Sequence, residues 1–101
     1  MFLLNNTTEN FSGYIILNEN LLIEEFSGQI NQILRKEHLD LTGDFVQLTE
    51  KLGKKTRSFF EGELLPVIRS KQIKHLSHHR KHSQLLISVT PLSTGSILVS
   101  F

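Results

Sequence analysis

Four histidines fall within one short stretch of the chain: His75, His78, His79 and His82. Imidazole is a common metal ligand that suits zinc, copper or nickel. It is also the side chain whose charge changes closest to neutral pH. On a strand, His75 and His79 share one face and His78 points to the other, because successive side chains alternate. His82 falls near a turn, so at most two or three rings converge. Arg80 and Lys81 lie among them and would repel a cation. The stretch therefore reads as an exposed, partly protonated hairpin, with His75 and His79 as the two candidate metal ligands and His78 and His79 as candidate pH sensors. The remaining acid/base neighbours are Glu24-Glu25 and Glu37-His38. Adjacent strand residues face opposite ways, so Glu24 and Glu25 cannot act as a pair. Glu37-His38 has no nucleophile or third group at a recognisable spacing. The six glycines are scattered at 13, 28, 43, 53, 62 and 95, so no phosphate-cradling loop is present. With no cysteine there is neither a disulfide, a thiolate metal site nor a cysteine nucleophile. The expectation is a domain without catalytic residues.

Charge is unevenly distributed. All ten Asp and Glu residues lie between Glu9 and Glu63. The first 63 residues hold six basic and ten acidic side chains, a net of −4, and the last 38 hold five basic and none acidic, a net of +5. The halves can neutralise each other in the fold, or the basic half can meet an anionic partner. Lys54, Lys55, Arg57 and residues 69–82 offer positive charge to nucleic acid, with Phe59 and Phe60 nearby. Single-strand binders need aromatics exposed on a sheet. Here the aromatics read as core, and the sequence pI of about 8.1 falls short of the usual basic footprint. No nucleic-acid partner is expected.

These residues need elements to carry them. Residues 83–92 (SQLLISVTPL) alternate Leu85, Ile87 and Val89 with Leu86, Ser88 and Thr90, the period of a half-buried strand. A turn at residues 91–95 leads to a second apolar strand, SILVSF. Upstream, residues 72–79 pair with the first. Near the N-terminus, GYIIL (residues 13–17) and LLIEEF (residues 21–26) form a hairpin about the turn signal Asn18-Glu19-Asn20. Between hairpin and meander lie short helices. Ile30, Ile33 and Leu34 share one face, with Ser27 as a candidate cap. Asp44 and Gln47 match a capping box, opening a stronger helix over residues 44–61 whose Phe45, Leu48 and Leu52 align. Gly62 and Pro66 then break the helical pattern, and residues 63–70 stay unassigned. At 101 residues the chain is one domain with a single core. No run reaches the ~18–20 apolar residues that span a bilayer, and residues 1–4 are too short for a signal peptide. A cytoplasmic location is expected.

The element order is two strands, short helices, three strands, the layout of an α+β domain. Residues 13–26 (GYIILNENLLIEEF) resemble the opening of a PAS domain: glycine, aliphatic residues, an acidic or Asn turn, then an aliphatic strand ending near an aromatic. Residues 85–92 with Gly95 and residues 97–99 are similar to its closing strands. The Asn common after the second strand is replaced by Ser27-Gly28. The resemblance implies a five-stranded antiparallel sheet with short helices packed on one face. It divides the chain into an N-terminal cap or dimerisation segment, 1–12, and a PAS-like domain, 13–101. It implies a sensory or dimerisation input domain of a bacterial signalling protein, linked to an output domain beyond residue 101, such as a sensor histidine kinase, a diguanylate cyclase or a transcription regulator. Homodimerisation would use Phe2, Leu3 and Leu4. Among cofactors, haem through the usual helix histidine is disfavoured because residues 44–61 contain none, and the flavin adduct is excluded without cysteine. A small-molecule ligand, including a non-covalent flavin, would sit between sheet and helices, lined by Ile15, Leu17, Ile23, Ile33, Leu48, Leu52, Phe59, Ile87 and Val89. The alternative is a protein-protein interaction module in which these residues fill the core.

Overall fold

Alternation of apolar and polar residues builds the sheet. The computed structural model describes residues 12–80 and 83–101, together with the backbone of Thr7–Thr8. The strands are β1 (Thr7–Thr8), β2 (Tyr14–Leu17), β3 (Ile23–Phe26), β4 (Lys74–Arg80), β5 (Ser83–Pro91) and β6 (Ile97–Ser100). Ile15 and Leu17 of β2, Leu85, Ile87 and Val89 of β5, and Ile97 and Val99 of β6 are buried on one face. Their neighbours in sequence point the other way, as a two-residue period requires.

The main sheet has the order β4-β5-β6-β2-β3, and every neighbouring pair in it is antiparallel. This is the expected five-stranded sheet. The two residues of β1 add to it in parallel, with Thr7 opposite Ser83 and Thr8 opposite Gln84. They occupy the lane beside β5 that β6 leaves at Ser100. Two turns fix the registers. In the β2–β3 turn the Asn18 side chain accepts from the backbone N–H groups of Asn20 (2.8 Å) and Leu22 (3.0 Å). Leu21 then takes a left-handed φ of 62°. That delays β3 to Ile23, two residues later than the alternation alone suggests. In the β5–β6 turn Gly95 has φ 90°, a conformation glycine adopts at little cost.

The helices cover the buried face. They are α1 (Ile30–Leu34), α2 (Phe45–Thr49), α3 (Lys54–Phe59), a π-turn (Phe60–Leu64) and α4 (Leu65–Ser70). Asp44 caps α2 by accepting from Val46 N–H at 2.7 Å, whereas Ser27 caps nothing with its side chain. Its hydroxyl accepts from Tyr14 N–H instead, at 3.1 Å. The expected long helix is displaced: α2 is only five residues, and the long helical run starts after Gly53 and continues through Gly62 and Pro66.

The physical reason is register. Phe59 and Phe60 are buried, and so are Leu64, Leu65 and Ile68. A spacing of five residues in an ideal α-helix turns about 140° past a full turn, which would rotate Leu64 away from Phe59 and Leu65 away from Phe60. One widened turn absorbs the extra residue, with Leu65 N–H donating to the Phe60 carbonyl five residues back. Pro66 is tolerated at the start of α4, because it and Gly62, whose carbonyl lacks the Pro66 N–H, are both exposed. No helix among the described residues is long and apolar enough to cross a membrane.

Candidate functional site

The interior between sheet and helices is the first place to look for a ligand. Of the nine predicted lining residues, Ile15, Leu17, Ile33, Leu48, Leu52, Phe59, Ile87 and Val89 are buried, and Ile23 is half-buried against them. They come together in one apolar core with Phe45, Phe60 and Leu64. None of the nine lines any of three surface concavities. A groove of about 490 Å³ lies beside α1, lined by Asn31, Arg35 and Glu37. Another, of about 470 Å³, lies on the sheet's outer face at Tyr14, Leu98 and Phe101. A third, of about 290 Å³, sits between the two hairpin turns at Glu19, Glu24 and Ser96.

Aromatic rings run through this core in sequence. The Phe60 ring lies 6.0 Å from Phe45, 6.1 Å from Phe59 and 6.5 Å from Phe101, measured between centroids. Phe59 in turn stacks on His78 at 4.5 Å with 24° between the planes. The π-turn is therefore the element that aims Phe60 at the end of β6. Two adjacent residues, Phe59 and Phe60, connect the helical run to the edge strand β4 and to the end of the central strand β6.

The histidines separate as strand geometry dictates. His78 is buried, 6% exposed, on the helix-facing side of β4, with its Nε2 3.4 Å from Thr56 Oγ1 of α3. His75 and His79 are exposed on the opposite face. Four strand residues separate them, roughly 13 Å along the chain, too far apart to chelate one ion together. His75 Nδ1 lies 2.9 Å from Ser88 Oγ on β5. Among the described residues no group of three His, Cys, Asp or Glu side chains is placed to hold a metal ion. His82, like Phe2, Leu3 and Leu4, lies outside the described residues.

Two polar contacts were not legible as a site. Arg80 turns inward, and its guanidinium donates to the Ile33 carbonyl near the end of α1 at 2.6 Å. A cation there also complements the helix C-terminus. Its signal in the sequence was parity: Arg80 is two residues from His78 and so shares its face. Tyr14 donates a short hydrogen bond to Glu25 across the β2–β3 pair. That bond, then partial desolvation, then the negative charge of Glu25 all push the Tyr14 phenol above its ordinary value of 10.0.

No family model and no curated protein matches this chain. A solved structure does: "Crystal structure of a domain of the sensory box sensor histidine kinase/response regulator from Geobacter sulfurreducens". The match covers 92% of this chain and 83% of that one, with a TM-score of 0.53 and 15% sequence identity. The fold is PAS-like. At that identity the likeness concerns backbone architecture. The buried apolar interior lies between helices and sheet, and Phe101 follows the last strand of the meander.

Proposed function

We propose that this chain is a sensory input domain that homodimerises and passes a change of state to a covalently linked output domain. The observation that carries the reading is the PAS-like fold across nearly the whole chain, set beside a solved sensory box domain of a sensor histidine kinase/response regulator. The domain proper spans residues 13–101, and residues 1–12 form a cap or dimerisation segment with Phe2, Leu3 and Leu4 as its apolar contacts. The domain is non-catalytic and cytoplasmic, and its chemistry is binding. The output domain is of the kind found in bacterial signalling proteins, a histidine kinase or a cyclic-dinucleotide enzyme among them.

The mechanism is grounded in the packing. A ligand or partner has to act by favouring one arrangement of the helical layer over another. Phe60 is fully buried and its ring stacks on Phe101. A shift of the α3–π-turn unit therefore moves the end of β6, where a linked domain would receive it. A second reading, an interaction module with a filled core and no ligand, is favoured by the burial of eight of the nine predicted lining residues in one apolar cluster.

Native and denaturing mass spectrometry on the same freshly purified sample, with an absorption spectrum, separates the two. Extra non-covalent mass establishes a ligand-bearing sensor. A clean mass of twice the monomer supports dimerisation without ligand. A clean monomer at all concentrations removes homodimerisation from the reading.

A further inference from the structure

The sheet has two edges, and they differ. The far side of β3 is partly taken: Ile23 N–H donates to the Gly43 carbonyl at 3.0 Å, and Phe45 N–H to the Leu21 carbonyl at 2.9 Å. The seven residues of β4 pair with β5, and among the described residues no strand pairs with their other side. The ladder fixes which backbone groups that side presents, because bonded and non-bonded pairs alternate along antiparallel strands. In the β5–β6 turn Leu92 N–H donates to the Ser96 carbonyl at 2.8 Å. Two and four residues back, Thr90 and Ser88 therefore bond to Leu98 and Ser100 of β6. Val89, Ile87 and Leu85 turn their backbone groups the other way, to Lys74, Leu76 and His78. The reciprocal bonds between Gly13 and Phe101 give the same parity from the other side of β6. The N–H and C=O groups of His75, Ser77 and His79 thus point away from the sheet, and the side chains of all three are exposed.

We propose that this edge of β4 takes an acidic, extended segment of a partner protein as an added antiparallel strand. The inference goes beyond the sensory reading and holds whether or not the chain homodimerises. Backbone groups supply the ladder, and the side chains select the partner. Residues 64–101 carry five basic and no acidic side chains. Directly opposed residues share a face, so carboxylates four residues apart would meet His75 and His79, with a small or β-branched residue between them opposite Ser77. His75 Nδ1 is already engaged by Ser88 Oγ at 2.9 Å. Where that hydroxyl donates, the ring proton sits on Nε2, which then donates to the incoming carboxylate. On the other face, exposed Lys74 takes a third carboxylate and half-buried Leu76 an apolar side chain. Ile73, just ahead of the strand and 70% exposed, takes another apolar residue at the segment's end. A second copy of β4 fits worse. Pairing about Ser77 would set His75 against His79 and Lys74 against Arg80, and opposed like charges destabilise a strand pair. The basic edge thus discourages self-pairing and leaves an acidic strand as the complementary occupant.

Amide hydrogen exchange of the full chain, followed by NMR during titration with the peptide acetyl-TEVTVEEVT-amide, tests this. The amides of His75, Ser77 and His79 should slow by the factor 1 + [L]/Kd, while those of Lys74 and Leu76, already bonded to β5, should hardly change. The lysine counterpart TKVTVKKVT should leave all five unchanged. His75→Glu with His79→Glu should weaken the acidic peptide on the order of 1.5- to 5-fold for each pair reversed and admit the lysine peptide, an exchange of preference that unfolding does not produce. Binding of the acidic peptide without slowing of the three amides would mean charge attraction without an added strand, and would overturn the proposal. So would the absence of any response at millimolar peptide. Protection of the three amides in the free chain also overturns it: if it grows with protein concentration, a second copy occupies the edge, and if it does not, the chain covers the edge itself.

Discussion

At the scale of single residues, Tyr14 offers an unusually clean readout, because it is the chain's one tyrosine. Its hydroxyl donates to Glu25, and the neutral phenol is what that carboxylate favours. The phenol is held above 10.0 first by this hydrogen bond, then by desolvation, then by the charge on Glu25. In the unfolded chain it titrates at the ordinary value of about 10. A raised folded pKa means that the contribution to stability is complete below about pH 10 and is lost as pH rises through the folded value. Tyrosinate absorbance followed against pH should therefore show a midpoint above that of the denatured chain. Glu25→Gln should bring it down toward the denatured value. If parent and variant titrate together, the Tyr14–Glu25 contact does not persist in solution.

At the scale of elements, the glycine that opens β2 illustrates what a sequence pattern encodes. Gly13 begins the stretch that resembles a PAS domain, and the structure supplies the reason for a glycine there. A Cβ at position 13 would lie 2.6 Å from Ile33 Cδ1 and 2.8 Å from Ser27 Oγ. Ile33 is fully buried and Ser27 Oγ is already bonded to Tyr14 N–H, so neither yields readily. Gly13→Ala should cost about 1–3 kcal/mol by overpacking α1 against β2. Chemical denaturation measures it, and an unchanged midpoint would mean that α1 can step back from the sheet. The π-turn carries a second prediction. If it exists to correct register, deleting Gly62 together with Pro66→Ala gives an uninterrupted α-helix with Phe59, Phe60, Leu64, Leu65 and Ile68 still on one face. That variant should remain folded. Inserting an alanine at the same point rotates Leu64, Leu65 and Ile68 by about a further 100° and should disrupt the core. Circular dichroism and thermal unfolding of the pair decide it, and equal tolerance of both changes would rule the register explanation out.

The same elements mark how far the sequence could be read. Strand parity placed Leu85, Ile87 and Val89 inward, and it separated His78 from His75 and His79, because a two-residue period has only one alternative. The helical middle is less legible. Phe60 and Leu64 are four apart, but Phe59–Leu64 and Phe60–Leu65 are five apart, which matches neither helical nor strand periodicity, and Gly62 and Pro66 between and after them read as breaks. The five-residue spacing was itself the signature of a widened turn. Leu21 looked like strand by its type, yet Asn18 bonding to the N–H groups of Asn20 and Leu22 overrode that preference. The candidate interior was legible as a set of core residues, since burial alone assembles them. Whether such a core holds a ligand depends on fractions of an ångström in packing, which residue types do not specify.

At the scale of the whole molecule, the charge asymmetry of the sequence becomes a spatial one. The Arg57–Glu61 salt bridge, at 3.3 Å, lies within one helical run and joins two residues of the acidic half, so it does not tie the halves together. On the outer face of the sheet the N-terminal portion places Glu25 on β3, and the C-terminal portion places His75 and His79 on β4. What binds the portions together is the sheet, because β2 from the N-terminal portion pairs with β6 along its full length from Tyr14 to Leu17. Gly13 closes that ladder, with Phe101 N–H donating to its carbonyl at 2.8 Å. By contrast, among the described residues β1 contributes two pairings, to Ser83 and Gln84. A chain beginning at Gly13 should therefore keep the complete five-stranded sheet and unfold in one cooperative step, with stability lowered by about 1–3 kcal/mol for the lost β1 hydrogen bonds. Circular dichroism with urea unfolding measures both features. Loss of cooperativity would mean that residues 1–12 belong to the core structure and that the proposed boundary at residue 13 is misplaced.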